Sequence, residues 1–105
     1  MTNPWRGEVS LVIDGEPRVM RLTLGALAAL EAALDEPSLV SLVERFEQSR
    51  FSSADVLALL KAGLQGGGCA EVAASLDHAE IDGGPMAAAR AAAQLIARAF
   101  VVPGA

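Results

Sequence analysis

The amino-acid sequence predicts an α+β chain, mostly α, in which an N-terminal β-hairpin is followed by four or five helices. Three observations lead there. Alanine and leucine, 21 and 14 of 105 residues, carry most of a 52% apolar content, while aromatic residues make up only 4%. Ala and Leu rank high in intrinsic helix propensity, and the aromatic and β-branched residues that favour strands are few. Strict apolar–polar alternation is confined to the first 24 positions, and after them apolar residues recur three and four apart, the spacing of a helix face.

The strands come first. In Glu8–Ile13 the residues Val9, Leu11 and Ile13 share one face, and in Arg18–Leu24 so do Met20, Leu22 and Leu24. These two strands, over 8–13 and 18–24, flank Asp14-Gly15-Glu16-Pro17, a turn cluster with a strong Asp-Gly signal. A four-residue loop sets Leu11 opposite Met20 and Val9 opposite Leu22. It also keeps Pro17, which has no N–H to donate, out of the ladder. A lone hairpin is marginal in water, so its apolar face must lie on helices.

Thr23 is placed to cap a first helix over 24–34, whose stripe is Leu27, Leu30 and Leu34. Asp35-Glu36-Pro37 breaks it, because proline cannot continue a helix and restrains the residue before it. A second helix over 38–49 opens at Ser38 and is the cleanest amphipathic segment, with Leu39, Leu42, Val43 and Phe46 opposed to Glu44, Arg45, Glu47 and Gln48. Ser52 or Ser53 caps a third over 53–65, with Asp55 near its positive end and a stripe of Val56, Leu57, Leu60 and Leu64. Gly66-Gly67-Gly68 ends it as a C-cap and hinge. A short fourth helix spans 70–76. Pro85 suits the first turn of the last helix, over 85–101, where Ala89, Ala93, Ile96 and Phe100 form a stripe widened by Ala88, Ala92, Leu95 and Ala99. Without repeats or a separate linker the chain reads as one domain over 1–105, with 1–6 and 102–105 as flexible ends.

Composition excludes several function classes. Thirteen acidic against eight basic residues give a net charge of −5, and no basic stripe is present to replace phosphate counterions, so nucleic acid is disfavoured. No apolar run approaches the roughly 20 residues that cross a bilayer. Met1–Glu8 lacks the apolar centre of a signal peptide, and the expected location is the cytoplasm.

Little material remains for catalysis. One cysteine makes no internal disulfide, and one histidine anchors no conventional metal cluster. Cys69 has no basic neighbour to lower its pKa and reads as an inert thiol, and His78 beside Asp77 and Glu80 reads as a solvated loop residue. The Gly66–Gly68 run lacks the Lys-Ser/Thr of a phosphate loop, and Asp77, Glu80 and Asp82 lack the ordered spacing of a calcium loop. The expectation is no enzyme, no cofactor and no metal. Function then rests on surface: either the broad apolar helix faces are ordinary core, or they are a self-association or client-binding surface. The hairpin edges are a second option, for strand addition.

The order of segments is similar to a known family. Arg6-Gly7-Glu8-Val9, the Asp14-Gly15 hairpin, Leu22-Thr23-Leu24-Gly25-Ala26-Leu27 with Glu31, then Phe46, Arg50, Ser52, Asp55, Leu59-Leu60 and Ala62–Gly68 resemble the small tail protein of gene transfer agents and related phages. About Arg6 to Phe100 is covered, and 69–84 fits least. The resemblance implies a tail assembly chaperone that binds a long, apolar, helical tape-measure protein, although the same family is sometimes labelled a tail tube component. It implies other tail proteins or a homo-oligomer as partners. Its recurring Arg6, Gly7, Glu8, Thr23, Gly25 and Gly63 look like turn, cap and packing positions. On that reading the candidate contact residues are Leu39, Leu42, Val43 and Phe46, or Leu95, Ile96 and Phe100, for each of which core packing is the alternative. A small regulatory interaction domain is a further alternative.

Overall fold

The computed structural model describes residues 7–34 and 39–99. The expected flexible ends and the proline break at 35–37 lie outside these residues. Strands β1 (Val9–Ile13) and β2 (Glu16–Met20) form an antiparallel two-stranded sheet. Helices α1 (Leu24–Leu34), α2 (Leu39–Glu47), α3 (Ser53–Gly66), α4 (Ala70–Ala74) and α5 (Gly84–Ala99) follow, with a 3₁₀ turn over Leu76–His78 before α5.

The hairpin loop is two residues long, not four. Asp14 (φ 52°) and Gly15 (φ 80°) both adopt left-handed conformations, the pattern of a tight turn whose twist matches the strands. Closure two residues early makes the pairs Val9 with Met20 and Leu11 with Arg18, and brings Pro17 into β2 opposite Val12. A slip of two preserves the alternation, so Val9, Leu11, Ile13 and Met20 still point inward and are buried. Pro17 is tolerated because the pair after the turn-closing one is not hydrogen-bonded, and no ladder N–H is lost. β2 ends at Met20 instead of 24. Leu22 is buried beyond it, whereas Leu24 opens α1 with 84% of its surface exposed.

The expected caps are present. Thr23 Oγ1 accepts a hydrogen bond from Ala26 N at 3.1 Å. Ser52 Oγ accepts from Asp55 N at 3.2 Å while Asp55 Oδ2 accepts from Ser52 N at 2.8 Å, a reciprocal capping box that starts α3. The expected helix over 70–76 is shorter, because Leu76 already belongs to the 3₁₀ turn. Helix α5 starts at Gly84, one residue ahead of Pro85, and 100–101 lie outside the described residues.

Helix α3 is the hub, packed against α1, α4, α5 and β2. Its Leu59, Leu60 and Leu64 join Met20, Leu30, Leu42 and Leu95 as side chains with almost no exposed surface. The glycines that end α3 supply its C-cap, Gly67, and also form a seam with the hairpin. Arg21 N donates to Gly63 O at 2.9 Å, Gly66 abuts the Arg21 carbonyl, and Gly67 abuts that of Val19. Neither of the last two leaves space for a Cβ. The glycines thus let helix backbone lie on strand backbone, covering the outer edge of β2.

The outer edge of β1 is also engaged. Ile13 makes a single bridge with Ile81. Asp14 N donates to Glu80 O at 2.7 Å, and Asp82 N donates to Val12 O at 3.1 Å. The Asp14 carboxylate accepts from Glu80 N at 2.8 Å, and Arg98 Nη1 donates to Glu8 O at 2.6 Å. The hairpin is therefore clasped on both sides, which leaves the expected strand-addition edges largely occupied.

Candidate docking surfaces

The amphipathic stripes proposed as contacts lie mostly in the core. Leu42, Phe46, Leu95 and Ile96 are buried, and Val43 is half-buried against the same core. Leu39 begins α2 with its side chain outside the description, and Phe100 lies outside the described residues. Phe46 stacks in parallel on Phe51, with ring centroids 4.6 Å apart. Leu95 covers Gly63 so closely that a Cβ there would stand 2.8 Å from Leu95 Cδ1. In this conformation the four buried residues hold the fold and have almost no surface to offer. A clean apolar stripe marks a helix that must bury one face, whatever buries it.

The corner between α2 and α3 is held by charge as well. Asp55, the buried charged residue, accepts a hydrogen bond from Arg45 Nη2 on its second carboxylate oxygen. One carboxylate thus caps α3 and ties α2 to it. The sequence placed Asp55 at a favourable helix end but gave no hint of its partner ten residues earlier.

Two open grooves flank α3. The first, of about 430 Å³, lies between α1 and α3 and is floored by small residues such as Ala29, Ala33, Ala54 and Ala58. Its cation, Lys61, is engaged: Nζ lies 2.5 Å from Asp77 Oδ1. The Lys61 hydrogen bond holds the Asp77 carboxyl below its ordinary value. The second groove, of about 420 Å³, runs between the N-terminal halves of α3 and α5, over Phe51, Val56, Leu60, Ile81, Met86 and Ala89. Met86 is 74% exposed, an apolar side chain standing in solvent. Val56, Leu57, Leu60, Ala88 and Ala89 belong to the expected helix stripes, whereas the α1–α3 trough and Met86 are not among the expected contact residues. The spacing of Ala29 with Ala33 and of Ala54 with Ala58 was the available sign of a shallow helix–helix trough, and nothing local marked Met86 as exposed.

The candidate reactive groups remain apart. His78 is exposed and Cys69 half-buried, and among the described residues no group of three or more His, Cys, Asp or Glu is placed to hold a metal ion. No described helix is long and apolar enough to cross a membrane.

What the described surface offers is apolar grooves beside α3 and charged side chains around them. A family model described as phage tail tube protein, GTA-gp10, matches residues 6–101. The chain belongs to this family of phage and gene transfer agent tail proteins. No curated protein and no solved structure matches it significantly.

Proposed function

We propose that the protein is a non-enzymatic tail assembly chaperone, which binds an apolar helical tape-measure protein in the host cytoplasm while a phage-like tail is built. The observation that carries this reading is the pairing of family membership over 6–101 with two apolar grooves on either side of α3. A groove between helices accepts a further helix by burying the guest's apolar face. An excess of acidic residues, 13 against 8 basic, keeps such a complex dissolved by like-charge repulsion. The deeply buried parts of the earlier contact sets then serve by fixing the groove walls, and Val43 remains a candidate contact.

The test is co-expression with the tape-measure protein of the same tail cluster. The expected result is a soluble complex that co-elutes in size exclusion. Recovery of the tape measure in the pellet regardless of this chain overturns the reading.

The family description itself favours a second reading, a structural tube subunit. Mass spectrometry of purified particles separates the two, since a tube subunit is abundant in the particle and a chaperone is missing from it.

A further inference from the structure

The register of the hairpin decides which groups of β1 face outward. Ile13 and Glu16 close the turn, so Leu11 and Val9 also bond to β2, while Glu8, Ser10, Val12 and Asp14 turn their N–H and C=O to the outer edge. Three of these four are met there. Asp14 N donates to Glu80 O, Asp82 N donates to Val12 O, and Arg98 Nη1 donates to Glu8 O. Ser10 stands exposed between them, its backbone bonded to no described group. The cover at the Asp14 end is a strap over 80–82, and it is thinly held. Besides the two backbone bonds, its hold is the 2.8 Å bond from Glu80 N to the Asp14 carboxylate and the half-buried Ile81, while Glu80 and Asp82 are exposed. Because the bridge of Ile13 with Ile81 is antiparallel, a strap that ran on would bring Gly84 opposite Ser10. It turns away first: Gly84 N donates to Ile81 O at 2.9 Å, with Gly83 at φ 87° in the third place of a tight turn that leads into α5. A segment with few buried apolar contacts and exposed hydrogen bonds opens at lower cost than the core.

We propose that the strap is an autoinhibitory contact. Closed, it keeps β1 from pairing with β1 of a second copy, and it opens about the turn over 81–84 while the hairpin and the helices stay folded. Two β1 strands laid antiparallel about Ser10 set Ser10 against Ser10, so that the open N–H and C=O of each satisfy those of the other. The same register sets Val12 against the second copy's Glu8, and no like charges are opposed. The position beside Val12 is the one that the Asp82 amide holds, so strap and second copy exclude each other. Arg98 need not leave, because the Glu8 carbonyl has a second lone pair. The device is independent of which part the chain plays in the tail.

The test begins with native-state hydrogen exchange of the full chain at low urea. The amides of Asp14, Glu80 and Asp82 are expected to exchange together, about tenfold or more faster than that of Leu11, with rates nearly independent of urea, the mark of a local opening. Asp82→Pro then deletes the donor to Val12, while proline suits the second place of a turn with glycine third. This variant is expected to form a dimer whose share rises with concentration in light scattering, with the Ser10 amide newly protected and Leu11 still protected. Glu80→Pro deletes the donor to Asp14 behind an Ala79 that is already extended (φ −78°, ψ 151°), and it takes the place of D82P if that chain does not fold. A disulfide between Val12→Cys and Asp82→Cys, in a Cys69→Ser background, fastens the strap and is expected to keep the chain monomeric. Strap amides that exchange only as slowly as Leu11, with the same urea dependence, overturn the proposal. So does a loosened strap that leaves the chain monomeric, or association that persists under the disulfide or leaves Ser10 unprotected.

Discussion

Gly66, the last residue of α3, rests directly on the carbonyl of Arg21, one residue beyond β2, backbone against backbone with no space for a side chain between them. This contact, with Gly67 on Val19, joins α3 to the hairpin. It turns an apparently featureless glycine run into the tightest joint of the fold.

Gly66→Ala is therefore expected to destabilise by about 2–3 kcal/mol, because backbone atoms on both sides must separate, an overpacking cost that outweighs the gain in helix propensity. Gly25→Ala makes the contrast. Its added Cβ meets nothing nearer than 4.0 Å, so alanine in α1 is expected to stabilise by roughly 0.5–1 kcal/mol. Urea unfolding of both variants checks the opposite signs.

Asp55→Ala removes the α3 capping box and the carboxylate oxygen to which Arg45 Nη2 donates. A loss of about 2–4 kcal/mol is expected, combining a lost cap with a broken, largely buried charge pair. Asp55→Asn keeps an acceptor for Ser52 N and is expected to recover about half. A double-mutant cycle with Arg45→Met isolates the pairwise part.

The Lys61–Asp77 pair predicts a pH dependence of definite sign. The Asp77 carboxyl titrates below its unfolded value because Lys61 hydrogen-bonds the charged form. Its contribution is thus fully present above the unfolded value of about 3.9 and is lost as pH falls through the lower folded value. The stability difference between wild type and Asp77→Asn should shrink across that window and also in high salt, since the pair is solvent-exposed. A difference that grows on acidification contradicts the assignment.

Asp14→Ala deletes the acceptor for Glu80 N and puts alanine in a left-handed position. The expected cost is about 1–3 kcal/mol, with Asp14→Asn closer to wild type because Asn tolerates that conformation and retains a carbonyl acceptor. Hydrogen exchange at the Glu80 and Asp82 amides reads the effect locally, since both bond to the end of β1.

Local signals in the sequence were read well because local physics decides them. The Thr23 cap, a cap at Ser52 or Ser53, the place of the Asp-Gly turn though not its length, and the stripes of α2 and α5 depend on neighbours within a few residues. The hairpin register slipped by two because the hydrophobic pattern cannot distinguish shifts of an even number, and only turn geometry does. Gly66–Gly68 reads in the sequence as a C-cap and hinge; Gly67 is the C-cap, and the close approach of Gly66 and Gly67 to the hairpin is invisible until their neighbours are known. The grooves beside α3 are legible in the sequence only as apolar excess. Which side of α2 and α5 the core would claim depended on helices distant in the chain, and Met86 emerged as exposed only once α3 and α5 were in place.

The clasp on β1 fixes an order of events during synthesis. Glu8 is bonded by Arg98, ninety positions later, and Asp14 by Glu80, sixty-six later. At bacterial elongation rates on the order of ten residues per second, the hairpin waits on the order of ten seconds for the groups that close its outer edge. During that interval Val9, Leu11 and Ile13 of β1, all buried in the finished fold, have no α5 to cover them. The nascent chain thus exposes this face until α5 has emerged, and variants that slow α5 docking should be lost to aggregation in cells more than their equilibrium stability implies.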